Sequence, residues 1–469
     1  MSTMLGFASR NLLRNPRRSA ATLLSIALGV FALLIFSGLR QDLVLGIRTY
    51  YVQTTGHLQI QHRDFYTLGS GNPAAYGIKG DREIISALEL RPELRNAVAV
   101  ITPTLQFGGI AGNFSQGKSS PVFGRGFIPL DAYRMLKWNE YDLWNRDATS
   151  PLLGQSDVAA VVGRGVARVL QLCAYNDASC VANASSMLTN GQASMQTEVG
   201  AEAKRLPVDI AELADAEQTQ KPRQSVSNME LLVSSPHGMP NVAATEIAAV
   251  QMMALKELDD TYVGINLPLA QRLVYGSQEP QSTSIHIQLR ETASMDMVKQ
   301  KLKQWLMKRF PEQPLVVRDY IELYPAYSQV VGMFSVIFGF VAALISLIVT
   351  FSMSSTMSMA VMERTVEIGT LRAIGFQREW VQKLFLREAL ILGAIGAIVG
   401  VLLSWFAQYL INNCLGLQWQ PPGQSEALPL HVRIWGEWVS TTCVAGGAIA
   451  LACLSSWVPA RRASHVSVV

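Results

Sequence analysis

Four long, strongly apolar runs without a charged residue constrain this chain more than any other feature of its sequence. They cover residues 20–39, 326–362, 389–412 and 438–458. A helix needs about 20 apolar residues to cross ~30 Å of hydrocarbon, and a central Asp, Lys or Arg would cost about 2.5–3.5 kcal/mol on insertion. Buried helices of soluble proteins normally keep a polar face, which these runs lack. We therefore predict an integral membrane α-helical protein with four transmembrane helices.

Composition and charge agree with a membrane protein. Of the 469 residues, 49% are hydrophobic and 16% are charged, whereas soluble domains carry about a quarter charged residues. The net charge of +4 comes with no basic stripe interleaved with aromatic residues, so a nucleic-acid partner is not predicted. The first run follows several arginines, as the apolar region of a signal peptide does. However, it is longer than such a region, and no A-x-A cleavage site precedes Arg40. An uncleaved signal anchor is expected.

The distribution of Lys and Arg predicts the orientation, because short basic segments flanking spans stay in the cytoplasm. Basic residues cluster in residues 1–19, 363–388 and 459–469, while the loop 413–437 holds only Arg433. All three basic segments fall on one side of a four-span chain. We therefore expect both termini inside a bacterial inner membrane, with residues 40–325 forming a large mixed α+β domain in the periplasm.

The large domain shows several patterns of its own. Strand-like alternation begins at residue 56, residues 97–109 read as a strand, and residues 81–98 and 291–310 have helical spacing. A subregion of about residues 128–227 is predicted to interrupt it, and its later part is rich in small polar residues. Cys173 and Cys180 lie there, and an oxidising periplasm favours a disulfide between them. The histidines are scattered and no metal-ligand spacing occurs, so no metal site is predicted.

The stretch GNFSQGKSS, residues 112–120, satisfies the phosphate-loop pattern G-x-x-x-x-G-K-[ST]. A true phosphate loop runs from a strand into a helix whose N-terminus faces the phosphates. Here Pro121 and the strand-like VFGRGF follow instead. The context predicts a β-hairpin with Asn113 and Gly117 at its bend, and the match with an ATP site is expected to be accidental.

The most informative segment is MERTVEIGTLRAIGFQREWVQKLFLREAL, which connects the second and third spans. Gly375 is expected to end one short amphipathic helix, and a second helix is expected to begin near Arg378. Such a short helix can lie in the lipid interface or insert into a groove on a soluble partner. The physical pattern leaves both readings open.

This segment closely resembles the one after the second span in permeases of the MacB/LolC/LolE/FtsX superfamily of ABC transporters. RNLLRNPRRSAATLLSIALGV is similar to the family's entry into the first span, and SWVPARRAS is similar to its end of the fourth span. Weaker similarities, such as TGHLQIQHRDFY, occur in the large domain. The polar residues 173–224 match no family pattern, and the tail departs from the usual family ending.

The resemblance implies a type VII ABC permease that binds no cofactor and performs no catalysis itself. ATP and Mg²⁺ would be held by a separate dimer of cytoplasmic ABC ATPase subunits, and a second permease, identical or homologous, would complete the complex. The resemblance implies that the segment between the second and third spans is the coupling helix that docks on the ATPase. The residues expected to make contacts or set the geometry there are Glu363, Arg364, Glu367, Gly369, Arg372, Gly375 and Phe376.

Small residues in the third span predict close helix packing. Gly396 and Gly400 form one small-x-x-x-small pair, and Gly393 and Ala397 form another. Such pairs let helix backbones approach closely in a membrane. Ordinary glycine enrichment of membrane helices would explain any single pair equally well.

The resemblance leaves three functions open. Four spans without a fused ATPase domain favour extraction or release of lipoproteins or lipids from the outer leaflet of the inner membrane, with a periplasmic acceptor, by mechanotransmission. An efflux permease for peptides or drugs is the next reading. The third is an FtsX-like regulator of a cell-wall hydrolase, for which the large domain is bigger than expected.

Overall fold

In the computed structural model, residues 16–143, 149–172, 228–236, 238–253, 256–419 and 428–464 are described. These residues divide into two compact units. The first contains the described residues up to 47, from 325 to 419 and from 428 onward. The second contains those between 48 and 324. Cys173 and Cys180 lie outside the described residues, as does almost all of the polar stretch that surrounds them.

Four long helices contain the four uncharged runs, which confirms the prediction of four apolar helices. They are α1 (Pro16–Thr55), α7 (Pro325–Glu363), α9 (Arg378–Leu410) and α10 (Trp438–Ser464). Each is long and apolar enough to cross a membrane. A short helix, α8 (Thr365–Ala373), connects α7 to α9. After α9 come a π-helical turn (Ile411–Leu415) and a small pair of strands, β10 (Gln418–Trp419) and β11 (Leu428–Pro429).

The first unit has an apolar core with a few polar contacts between helices. Buried side chains from α1, α7, α8, α9 and α10 form one cluster. Thr22 of α1 donates to Thr356 of α7 over 2.9 Å, and Ser352 of α7 donates to Ser25 of α1 over 3.2 Å. Since apolar side chains gain little by leaving lipid for a helix neighbour, such hydroxyl contacts help to fix the register of α1 against α7.

The chain between β11 and α10 fits into a notch of α1. Val432 and Ile434 are buried, and a side chain at Gly38 would approach both of them to 2.8 Å. Arg433 donates its backbone N–H to the Gly38 carbonyl over 3.2 Å and lies 3.7 Å from the Asp42 carboxylate. Glycine is therefore required at position 38 for this approach.

The second unit is a nine-stranded sheet with helices. Its strands are β1 (Leu58–His62), β2 (Val98–Asn113), β3 (Lys118–Phe127), β4 (Ala159–Gly163), β5 (Asn228–Ser234), β6 (Pro240–Gln251), β7 (Tyr262–Asn266), β8 (Ser284–Leu289) and β9 (Leu315–Asp319). Its longer helices are α2 (Asp81–Glu89), α3 (Pro129–Leu136), α4 (Arg164–Leu170), α5 (Leu267–Tyr275) and α6 (Met295–Arg309). Single turns of helix occupy Phe65–Leu68, Pro73–Tyr76, Pro92–Arg95, Phe114–Gln116, Lys256–Asp259, Thr292–Ser294 and Tyr320–Leu323.

The long strand β2 joins two parts of the sheet. Its C-terminal part pairs with β3 and β5, and the pairings β3–β7, β7–β4, β4–β6 and β6–β5 close a ring of six strands. Its N-terminal part pairs with β8, which continues to β1 and β9. Apolar side chains of the ring strands, α4 and α5 form the main core of this unit. Strand β4 and helix α4, from within the predicted subregion, are part of the ring and its core.

The GNFSQGKSS stretch is the turn of the β2–β3 hairpin. Gly112 pairs with Ser119 and Asn113 with Lys118 in an antiparallel ladder, and the turn ends at Gly117, whose φ is +61°. The stretch leads into strand β3 and not into a helix, so it lacks the strand-to-helix context of a phosphate loop. The hairpin predicted from the sequence is confirmed.

We expect the variant Lys118→Ala to bind ATP no differently from the parent protein. The reason is that Gly112, Lys118 and Ser119 belong to an antiparallel ladder and do not form the loop before a helix that cradles phosphates. Photolabelling of the full-length protein with an azido-ATP analogue checks this. Labelling of the hairpin that disappears in Lys118→Ala would contradict it.

A buried histidine network fixes the start of β1 in the second unit. Burial lowers the pKa of His57 to about 4, so the ring is neutral near pH 7. Its Nδ1 accepts the Leu289 backbone N–H over 3.0 Å, which leaves Nε2 to donate to the Thr292 hydroxyl over 3.2 Å. Thr292 in turn donates to the Glu140 carboxylate over 2.6 Å. Every member has a partner, and we assign the network a structural role.

Candidate coupling site

The connection from α7 to α9 contains two breaks that isolate α8 as a helix of nine residues. The first break is at Arg364, whose φ of −106° and ψ of 18° are not helical. The second is at Gly375, whose φ of +106° ends the helical path and strongly favours glycine. The ring centroids of Phe376 and Trp380 lie 4.5 Å apart across the turn into α9.

One side of α8 is attached to the helix bundle. Arg364, Ile368 and Arg372 follow one another at spacings of four, so they share a face. The Arg364 Nη1 donates to the Glu388 carboxylate of α9 over 3.0 Å. Ile368 is buried in the apolar cluster of the bundle, and the Arg372 Nη1 donates to the Ser464 carbonyl at the end of α10 over 3.4 Å. This face connects α8 to both α9 and α10.

The opposite side of α8 is exposed and partly apolar. Val366 and Ile374 are 80% and 78% exposed, and Phe376 in the following turn is 39% exposed. Glu363 and Glu367 are also exposed, so the surface carries both apolar groups and carboxylates. We call the surface formed by Glu363, Val366, Glu367, Ile374 and Phe376 the outer face of α8. A helix with one anchored and one exposed apolar side is suited to receive a partner.

The residues predicted from the sequence therefore fall into three groups. Arg364 and Arg372 point into the bundle, and Glu363, Glu367 and Phe376 lie on the outer face. Gly375 forms the turn after α8, whereas Gly369 has open space where a side chain would stand, so the geometry does not require glycine there. Two residues that sequence reasoning missed are Glu388 and Ser464. The signal for Glu388 was present, because it is an isolated acid directly before an uncharged run.

The glycines of α9 lie against two neighbouring helices. A side chain at Gly396 would meet Ile26 of α1 at 2.8 Å, and one at Gly400 would meet the Ala27 carbonyl at 2.7 Å. A side chain at Gly393 would meet Ala452 of α10 at 3.0 Å. Ala397 is buried in the same cluster. Close contact therefore occurs on two sides of α9.

Among the described residues there is no group of His, Cys, Asp and Glu that could hold a metal ion. Cys414, Cys443 and Cys453 are free thiols. The outer face of α8 itself consists of apolar side chains and carboxylates, a composition suited to binding.

Comparison with protein families identifies the C-terminal part of the chain. Residues 336–468, which include α8, α9 and α10, match the FtsX-like permease C-terminal domain. An uncharacterized ABC transporter permease of Methanocaldococcus jannaschii is 26% identical over 216 residues, which cover 45% of this chain and 50% of that protein. The matched domain thus contains the segment between α7 and α9.

Two further relatives have more specific names. The macrolide export ATP-binding/permease protein MacB of Rhodopirellula baltica is 27% identical over 41% of this chain and 26% of its own length. The lipoprotein-releasing system transmembrane protein LolE of Haemophilus influenzae is 23% identical over 50% of this chain and 58% of its own length. The chain spans about half or less of the first relatives' length. The chain belongs to the superfamily of type VII ABC transporter permeases that includes MacB, LolE and FtsX.

Proposed function

We propose that this protein is the membrane subunit of an ABC transporter and that α8 is the element on which a separate ATPase acts. The observation that carries the proposal is the two-sided character of α8. Its inner side is attached to α9 and α10 through Arg364 and Arg372. Its outer face exposes Val366 and Ile374. A partner that moves the outer face would therefore move the bundle.

The charge pattern supports an orientation in which α8 faces the cytoplasm. Arg372, Arg378, Lys383 and Arg387 lie between the second and third apolar helices, and such residues remain on the inner side of a membrane. Both termini would share that side, and the second unit would lie in the periplasm. ATP and Mg²⁺ would be bound by a cytoplasmic ATPase dimer, while a second permease subunit would complete the membrane part in the inner membrane.

For the substrate we propose a lipoprotein or lipid taken from the outer leaflet of the inner membrane and passed to a periplasmic acceptor by mechanotransmission. The support is the similarity to LolE, which extends over half of this chain. Efflux of peptides or drugs is the second candidate, because a relative is named as a macrolide exporter. Regulation of a cell-wall hydrolase is the third, and it would use the same coupling through α8.

A photo-crosslinking amino acid at Ile374 tests the coupling assignment in native membranes. We expect an adduct with a protein that carries an ABC nucleotide-binding domain, identified by mass spectrometry, because Ile374 projects from the outer face of α8. The same amino acid at Leu90, which is 83% exposed in the second unit, is the matched control and should give no such adduct. Adducts of Ile374 with lipid alone would refute the proposal and favour a helix lying in the lipid interface.

Identification of the molecules that co-purify with the complex tests the proposed substrate. A co-purified lipidated protein or phospholipid that leaves on ATP addition supports extraction. A stable complex with a cell-wall hydrolase and no bound lipid would replace this reading with the regulatory one.

A further inference from the structure

A buried ion pair joins the beginning of α8 to the interior of α9. The guanidinium of Arg364 and the carboxylate of Glu388 are 3.0 Å apart, and their side chains are 14% and 3% exposed. Val361, Ile368 and Phe385, three or four residues from the pair along their helices, belong to the buried apolar cluster of the bundle. The pair is thus largely removed from water.

Stability alone does not explain such a pair. Taking two charges out of water costs about as much as their attraction returns, and apolar residues of similar volume often serve at least as well. What a buried pair can add is a single fixed register between two elements, because a displacement of one partner breaks their charge-assisted hydrogen bond. Arg364 and Glu388 therefore define one position of α8 relative to α9.

The pair also connects the two helices independently of the chain that joins them. Along the chain, α8 reaches α9 through Gly375, whose positive φ marks a turn. The contact between Arg364 and Glu388 spans 24 residues of sequence and meets α9 well inside the helix. A displacement of α8 is therefore transferred to the body of α9 and is not absorbed by the turn.

We infer that the Arg364–Glu388 pair is the link through which movement of α8 displaces α9, with Arg364 as a positioning residue and not a contact of the ATPase. This inference rests on the proposed function. It assigns the two sides of α8 different tasks. The outer face binds the ATPase, and the buried pair converts that binding into a shift of α9 relative to α7.

The test replaces both charges with apolar groups of similar size, in the double variant Arg364→Met/Glu388→Leu. Because both members of the pair are replaced by apolar groups, neither is left as a buried charge facing an apolar partner, and the variant should fold and assemble. The probe is a pair of spin labels at Phe351 on α7 and Leu402 on α9, both of which are exposed. The label distance is measured in the complete transporter, without nucleotide and after trapping with ATP and vanadate.

In the parent protein we expect the label distance to change between the two states, and in the double variant we expect this change to be lost. Crosslinking of Ile374 to the ATPase should remain in the double variant. Loss of this crosslinking would count against docking of the ATPase on α8 and not against the Arg364–Glu388 link. A nucleotide-dependent change of parental size in the double variant would overturn the inference. So would an unchanged distance in the parent, because α9 would then not move with α8.

Two further variants complete the experiment. The exposed pair formed by Arg309 and Glu83 receives the same substitutions, Arg309→Met/Glu83→Leu, and should leave the distance change intact. The charge-exchanged variant Arg364→Glu/Glu388→Arg carries the test if the apolar variant does not assemble. A nucleotide-dependent distance change in the charge-exchanged variant then supports the link. An assembled complex of this variant that shows no distance change contradicts the link.

Discussion

Replacing Val366 and Ile374 by aspartate is expected to abolish association with the ATPase while the protein still inserts into the membrane. Both side chains lie on the outer face of α8 and make little contact with the rest of the chain, since they are 80% and 78% exposed. At the centre of an interface each substitution would remove an apolar contact and bury an unpaired carboxylate, which together we expect to cost about 2 kcal/mol. Two such losses correspond to about a thousandfold weaker binding.

Co-purification of the ATPase with the tagged double variant measures this effect. The control is Leu90→Asp, which places the same charge on another exposed apolar position, 83% exposed, in the second unit. Equal recovery of the ATPase with the parent and the double variant would show that α8 does not form the docking surface. A variant that fails to reach the membrane is recognised by its absence from the detergent extract.

The second large effect is expected from Gly400→Val. A Cβ at this position would lie 2.7 Å from the Ala27 carbonyl and 2.7 Å from the Val30 Cβ, both on α1. The carbonyl belongs to the helix backbone and cannot turn away, so α1 and α9 must separate. Overpacking of this kind costs about 1–3 kcal/mol, and we expect the thermal midpoint in detergent to fall by several degrees.

Gly447→Val on α10 is the matched control, because nothing lies within 4 Å of a side chain added there. Both substitutions place the same β-branched residue inside a long helix, so intrinsic helix propensity cancels. A similar thermal midpoint for the two variants would contradict close packing of α9 on α1. Such a result would leave the glycines of α9 as ordinary residues of a membrane helix.

Some features of the fold follow from local sequence. A strongly apolar run of about 20 residues without charges is typical of a membrane helix, so the four long helices were predictable. The β2–β3 hairpin was predictable because Pro121 and the residues after it read as a strand. Both conclusions depend on neighbours within a few residues. The same local logic indicated two helices between the second and third spans, separated by a glycine.

Local sequence patterns could not predict which strands pair when the strands are far apart in the sequence. Strand β2 bonds to its neighbour β3 and also to β5 and β8, which come more than a hundred residues later. An alternating pattern of side chains shows that a segment is a strand but does not select its partners. The ring of six strands, and the inclusion of β4 in it, therefore emerged only from the structure.

For the coupling segment, the sequence by itself determined that a short charged amphipathic helix lies between two membrane helices and resembles a family element. Charges occur on both sides of α8, so their pattern did not show which of them face a partner. Only the tertiary structure decided that Arg364 and Arg372 turn inward while Val366 and Ile374 remain outside. The physical reason is that the position of Glu388 beside Arg364 depends on how α9 packs in the bundle, and this packing is a property of the whole helix assembly.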